Sequence, residues 1–295
     1  MLHQPGTGYD RSMPHRLGEV TVRGRTIRWR ETDPVAPRGG HVEALVLLHA
    51  FPLSAAMWES QFDVCPGWRV VAPDLRGFRG PDGPAVEPPG ELNMLTMDDL
   101  AEDVEHVLDA LGPPTAVIGG LSMGGYLSFA LLRRAPQRFR GLVLADTRAT
   151  PDSEAGMAGR RAMQALADSG GAEAVADDMV PKLLGQSTRQ DRPDLMRHVR
   201  ALVEANSPGA IKGALGAMMT RPDARPLLAG VGCPTLILVG EEDTLTPIAD
   251  SDQMRAAIRG SEFVRIRRAG HLSNLEQPEA FNTALSRFLR TTFQS

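Results

Sequence analysis

The stretch Gly119-Gly-Leu-Ser-Met-Gly-Gly125 follows the apolar run Thr115-Ala-Val-Ile118 and precedes a helical pattern at 126–134, where Leu127, Ala130 and Leu131 share one face. Ser122 therefore stands at a strand-to-helix turn, flanked by Gly120 and Gly124 in a G-x-S-x-G match. A serine at so sharp a turn takes a strained backbone conformation, and Cβ atoms on its neighbours would collide with the adjoining strand and helix. Glycines relieve that crowding. They leave the hydroxyl above the strand's carboxyl end, beside a helix N-terminus whose free N–H groups stabilise negative charge. A phosphate-binding loop is the competing reading, but GGLSMGG lacks G-x-G-x-x-G spacing and no Lys-Ser/Thr follows it. In a chain with 30 glycines a bare G-x-S-x-G is a modest signal. The strand before it and the helix after it are what give it weight.

Outward from this turn the same grammar repeats. Continuous apolar runs at 43–48, 68–72, 141–145 and 234–239 read as strands covered on both faces of a parallel sheet, and 262–267 reads as a last strand. Residues 17–23 and 26–31 alternate around Arg23-Gly-Arg25 and suit an antiparallel hairpin. Between strands, residues 97–111 place Leu100, Val104, Val107, Leu108 and Leu111 on one helical face, with acidic residues in the first turns. Such alternation argues for a mostly parallel α/β sheet flanked by helices. One stretch breaks it: 148–223 contains no strand-like run, only helical patches punctuated by Ser169-Gly-Gly171, Pro181, Pro193 and Pro208. We read it as a helical cap inserted into a core made of 1–147 and 224–295, with 1–16 as a loose tail and 77–90 as a Pro/Gly-biased loop.

Composition excludes several classes of function. The 36 acidic side chains slightly outnumber the 32 basic ones, which speaks against nucleic acid or an anionic membrane as partner. Lysine occurs only at Lys182 and Lys212, a bias of base composition that carries no functional reading. Cys65 and Cys233 stand far apart with no metal-ligand spacing, so a zinc site or disulfide framework is not expected. No apolar run has the length of a signal peptide or a membrane span, and the expected location is the cytoplasm.

A serine needs a base, itself oriented by an acid. Of seven histidines, His271 sits in Ala269-Gly-His-Leu272, after the last strand and before a helix near Pro278, on the edge where open α/β sheets gather their chemistry. His3, His15, His41, His106 and His198 read as solvated. For the acid, Gly240-Glu-Glu-Asp243 follows the penultimate strand and offers Glu241, Glu242 and Asp243. We read Asp243 as the acid. Asp146, which ends the strand after the serine helix, is the rival, and a carboxylate of the 241–243 loop also suits capping of a helix near Pro247.

His49-Ala-Phe-Pro52, Asp74-Leu-Arg-Gly77, Gly120-Leu-Ser-Met-Gly124, Gly240-Glu-Glu-Asp243 and Gly270-His271 together resemble the α/β-hydrolase family from Val20 to Phe293, most closely its small capped esterases, enol-lactonases and cofactor-free haloperoxidases. The chain order Ser, acid, His matches that family. The resemblance implies an eight-stranded, mostly parallel sheet with a helical cap, Ser122 as nucleophile, His271 as general base and acid, and Asp243 as its orienting carboxylate. It implies an oxyanion hole made by the backbone N–H groups of Met123 and Phe51, a loop-supporting role for His49, and Asp74 and Arg76 tying strand end to loop. The implied substrate is a small ester or lactone, with neither metal nor organic cofactor. Lyase chemistry or perhydrolysis on the same triad and, from another class, a ligand-binding receptor on this scaffold are the alternatives. Six methionines of the cap, Met157, Met163, Met179, Met196, Met218 and Met219, suit either a pocket lining or ordinary core.

Overall fold

The apolar runs form the sheet's interior strands. In a computed structural model that describes residues 15–32, 42–80, 92, 94–112 and 114–293, eight strands form one sheet in the order β1-β2-β4-β3-β5-β6-β7-β8. They are β1 (Arg16–Val22), β2 (Arg25–Glu31), β3 (Ala44–Leu48), β4 (Arg69–Pro73), β5 (Ala116–Leu121), β6 (Phe139–Ala145), β7 (Thr235–Gly240) and β8 (Glu262–Ile266). β1 and β2 pair as the expected hairpin, and β2 joins β4 antiparallel. All remaining pairings are parallel. Every residue of β3, β5 and β7 is buried, as strands covered on both faces require. The parallel strands consequently end on one edge, and that edge receives the loops discussed below.

The helix α1 (Met97–Leu111) has the bounds its periodicity predicts, and the five apolar side chains of its predicted face are buried. Its start is fixed by a capping box in which Thr96 Oγ1 accepts from Asp99 N at 3.1 Å and Asp99 Oδ2 accepts from Thr96 N at 2.9 Å. The helix α2 (Met123–Arg134) starts directly after Ser122, and it begins three residues earlier than the apolar face at 126–134 suggested. Glycines supply no face for periodicity to register, so the first turn was invisible in the pattern.

Between β6 and β7 the chain forms α3 (Glu154–Leu183), α4 (Gln186–Asp191), α5 (Pro193–Glu204), α6 (Pro208–Met219) and the short α7 (Arg225–Leu228). The strand-free stretch 148–223 contains the first four. Ser169-Gly-Gly171 interrupts α3 as its glycines suggest: at Gly171, with φ 67° and ψ −164°, the backbone leaves helical geometry and two helical pieces meet at a kink. Met163, Met179, Met196 and Met218 join the contiguous apolar core, the ordinary role for helical methionine. The chain closes with α8 (Ile248–Ala257), α9 (Ser273–Glu276) and α10 (Pro278–Phe293). No helix of the described residues is long and apolar enough to cross a membrane. The tail 1–14, most of the loop 77–90, His3 and His41 lie outside the described residues.

Candidate active site

Ser122 is held in a conformation that serine rarely adopts. Its φ is 54° and ψ −110°, which costs about 1–3 kcal/mol and persists only where the surroundings over-determine it. Here they do so from three sides: Ser122 N donates to Ala145 O at 3.0 Å, while its carbonyl accepts from Gly125 N at 2.9 Å and from Thr147 Oγ1 at 2.8 Å. The crowding expected of the flanking glycines is real. A Cβ on Gly120 would sit 2.1 Å from the Gly124 carbonyl carbon, and one on Gly124 would sit 2.1 Å from Leu48 O.

A serine at a helix N-cap ordinarily uses its hydroxyl to accept from an N–H of the first turn. Ser122 makes no such cap bond. Its Oγ instead lies 2.7 Å from His271 Nε2, across 149 residues of sequence. His271 Nδ1 lies 2.8 Å from Asp243 Oδ2. With Nδ1–H donating to the carboxylate, Nε2 of the neutral ring is the acceptor for the serine O–H. The three side chains come from the ends of β5, β7 and β8, on the edge that the parallel strands share.

Asp243 is fixed from within its own loop. Its Oδ1 accepts from Leu245 N at 2.8 Å and Thr246 N at 3.0 Å, and its Oδ2 also accepts from Thr246 Oγ1 at 2.6 Å. Burial would raise its pKa, but His271 and these donors hold it below the ordinary aspartate value. Burial likewise opposes charge on His271, and the Asp243 carboxylate beside it outweighs that, leaving the ring's pKa above 6.5. The helix-capping role imagined for a loop carboxylate falls away: the N-cap of α8 is Pro247, and no side chain caps it.

Asp146, the rival acid, follows β6 on the same edge but turns elsewhere. Its Oδ1 accepts from Gly240 N at 2.7 Å, and its Oδ2 accepts a short hydrogen bond from Ser273 Oγ. It thus ties the start of the acid loop to the end of the histidine loop. Complete burial, then the nearby Asp243 charge, push its pKa well above the ordinary value.

His49 is fully buried beside the loop after β3. Its Nδ1 lies 3.0 Å from Ala50 O, its Nε2 accepts from Leu75 N at 3.0 Å, and burial lowers its pKa to about 4. A neutral, doubly engaged ring of this kind supports the loop, as expected. Asp74 also behaves as expected, accepting from Ala55 N at 2.9 Å. Arg76 reaches further: its guanidinium grips Asp103 of α1 at 2.8 and 2.9 Å, joining the loop to a helix instead of a strand end. The solvated reading of His15 is overturned. That ring is buried, stacked on Phe62 with centroids 4.9 Å apart, and lies 2.9 Å from Arg30 Nη1. Its neighbours come from β2 and from the segment after β3, which nothing in its local sequence announces. His198 is exposed and His106 half-buried, 3.9 Å from Glu102.

Sequence reasoning passed over Thr147, Thr246, Ser273 and Glu276, because neither motif nor periodicity marks them. Their function is to hold other residues, and only their partners reveal it.

Comparison with known proteins agrees with this fold. A family profile described as alpha/beta hydrolase fold matches residues 43–278. The chain is 28% identical to 3-oxoadipate enol-lactonase 1 of Acinetobacter baylyi over 278 residues, covering 94% of this chain and 98% of that one. It superposes on a thermophilic esterase from Thermogutta terrifontis with a TM-score of 0.83 and 33% identity, covering 94% and 99% of the two chains. An enol-lactonase from Burkholderia xenovorans gives a TM-score of 0.80 at 26% identity, covering 92% and 99%.

Proposed function

The chain belongs to the α/β-hydrolase fold family, and from that premise we propose that it is a serine hydrolase of small carboxylic esters or lactones. The observation that carries the reading is the unbroken pair of contacts Ser122 Oγ to His271 Nε2 at 2.7 Å and His271 Nδ1 to Asp243 Oδ2 at 2.8 Å. Its esterase and enol-lactonase relatives suggest the substrate class.

In this mechanism Ser122 Oγ attacks the ester carbonyl carbon while its proton passes to His271 Nε2. Asp243 stabilises the resulting imidazolium and keeps the ring in the tautomer that accepts at Nε2. The carbonyl oxygen, now negative, is received by the N–H groups of Met123 and Phe51. Met123 opens α2, where amides have no partner within the helix. In the other loop the Ala50 N–H is already engaged with Met57 Sδ at 3.2 Å, which supports Phe51 as the second donor. Each preorganised donor of this kind contributes about 3 kcal/mol to the transition state. Collapse of the intermediate expels the alkoxide, which takes the proton from His271. With a lactone that alcohol stays tethered to the acyl group. Water, deprotonated by His271, then frees the acid and regenerates Ser122. The helical segment 148–223 serves as the cap over the core 1–147 and 224–295 and shapes the choice of substrate.

Treatment with a fluorophosphonate should label Ser122, and Ser122→Ala should abolish both labelling and turnover of a short p-nitrophenyl ester. Labelling without turnover of any ester or lactone would redirect the reading toward proton-abstracting lyase chemistry. A wild-type protein that resists the probe would end it.

A further inference from the structure

Two glutamates outside the triad stand where the helical segment meets the edge of the sheet. Glu276, the last residue of α9, is buried. Its Oε1 accepts from Gly270 N at 2.8 Å and Leu272 N at 3.2 Å, the amides on either side of His271. Its Oε2 accepts from Gly185 N at 2.8 Å. Glu242, the neighbour of Asp243, reaches the same segment: Ser187 N donates to it at 2.7 Å and Ser187 Oγ at 2.5 Å. Residues 185–188, at the junction of α3 and α4, are therefore held by one carboxylate beside the acid and another beside the base.

The two backbones also touch. A Cβ on Gly185 would lie 2.6 Å from Glu242 Oε2 and 2.7 Å from Gly270 N, and a Cβ on Gly270 would lie 2.3 Å from Gly185 N. Gly185 has φ −62° and ψ 161°, which any residue adopts, so space alone demands glycine there. Carboxylate acceptors make strong bonds to amides, and buried amides that lose their acceptor are costly. A shift of residues 185–188 would leave Glu276 Oε2 unmatched and disturb the seat of the carboxylate whose Oε1 holds the two amides flanking His271.

Resting on the hydrolase reading above, we propose that Glu276 is a positioning residue, which makes the seating of residues 185–188 a condition for the working geometry of His271. The helical segment is thereby coupled to the chemistry through the base, independently of any contact it makes with substrate.

The test approaches the junction from both sides in the full-length protein. Glu276→Gln keeps the shape but turns an amide NH2 toward backbone donors; Gly185→Ala pries the junction apart by driving a Cβ against Glu242 Oε2 and Gly270 N. Both variants should lower kcat by roughly a hundredfold, as small misplacements of reacting groups do, with KM changing far less and with cooperative thermal unfolding retained. The downfield Nδ1–H proton resonance of His271 should broaden or vanish in both. That resonance reads the positioning without substrate, so it decides the inference even if the hydrolase reading fails on wild-type labelling. Wild-type kcat and an unchanged resonance in Gly185→Ala would overturn the proposal, whatever Glu276→Gln does, because Glu276 would then brace the histidine loop alone. Should Glu276→Gln fail to fold, Gly185→Ala carries the test.

Discussion

Asp243 and Asp177 are both aspartates near positively polarised partners, yet they live in different media. Asp243 is buried at the edge of the sheet and accepts from two amides, a hydroxyl and an imidazole. Asp177, in α3, is 69% exposed at its side chain and meets Arg200 of α5 at 2.7 Å. Lys212 and Asp168 pair in the same manner at 2.5 Å, with the carboxylate mostly exposed and the lysine partly so. Water replaces a lost partner at the surface of the helices, and the pair contributes little. At the sheet edge these side chains are buried, and each lost partner leaves an unsatisfied group. The edge is therefore specified atom by atom, whereas the outer faces of the helices tolerate exchange.

That contrast can be broken at either end. His271→Ala should reduce ester turnover by about 10⁶-fold, since triad members act as a unit. Asp243→Asn should lower kcat by roughly 10⁴-fold by releasing the imidazole tautomer. Asp146→Asn, on the same edge, should stay within about tenfold of wild type, because an amide can still accept from Gly240 and bond to the Ser273 hydroxyl. A reversal of that order in steady-state kinetics would reassign the acid.

The pH profile sharpens the comparison further. The base must be neutral to accept the serine proton, and the folded-state pKa of His271 is raised above 6.5. Turnover should accordingly be lost as pH falls through a midpoint above 6.5. In Asp243→Asn the residual activity should show a lower midpoint, because burial then acts on the ring without the opposing carboxylate. At the far end of the scale, Lys212→Ala should leave turnover unaltered and shift unfolding free energy by less than about 1 kcal/mol in denaturant titration.

How much of this was legible before folding differs by element. The interior strands were readable because burial on both faces makes them continuous apolar runs, and α1 was readable because its buried face repeats with helical spacing. Ser122 and His271 could be named from motif and chain order, and Asp243 was read as the acid with Asp146 as its rival. The start of α2 could not, since Met123-Gly-Gly125 has no apolar face. His15 was misread because its burial depends on Phe62 and Arg30, which arrive from other parts of the chain.

The sequence by itself determined which strands are buried on both faces, the sharp turn at Ser122, the histidine candidate and the two rival carboxylates, properties that periodicity, motif and chain order encode. Tertiary structure alone decided that Asp243 and not Asp146 faces the imidazole, and that Gly185 meets Gly270 backbone to backbone with Glu276 between them. Those outcomes depend on loops from separate strand ends and from the helical segment meeting within hydrogen-bond reach. A carboxylate's role is set by which donors surround it, and donors contributed across 91 residues, as between Gly185 and Glu276, leave no periodic trace in the chain.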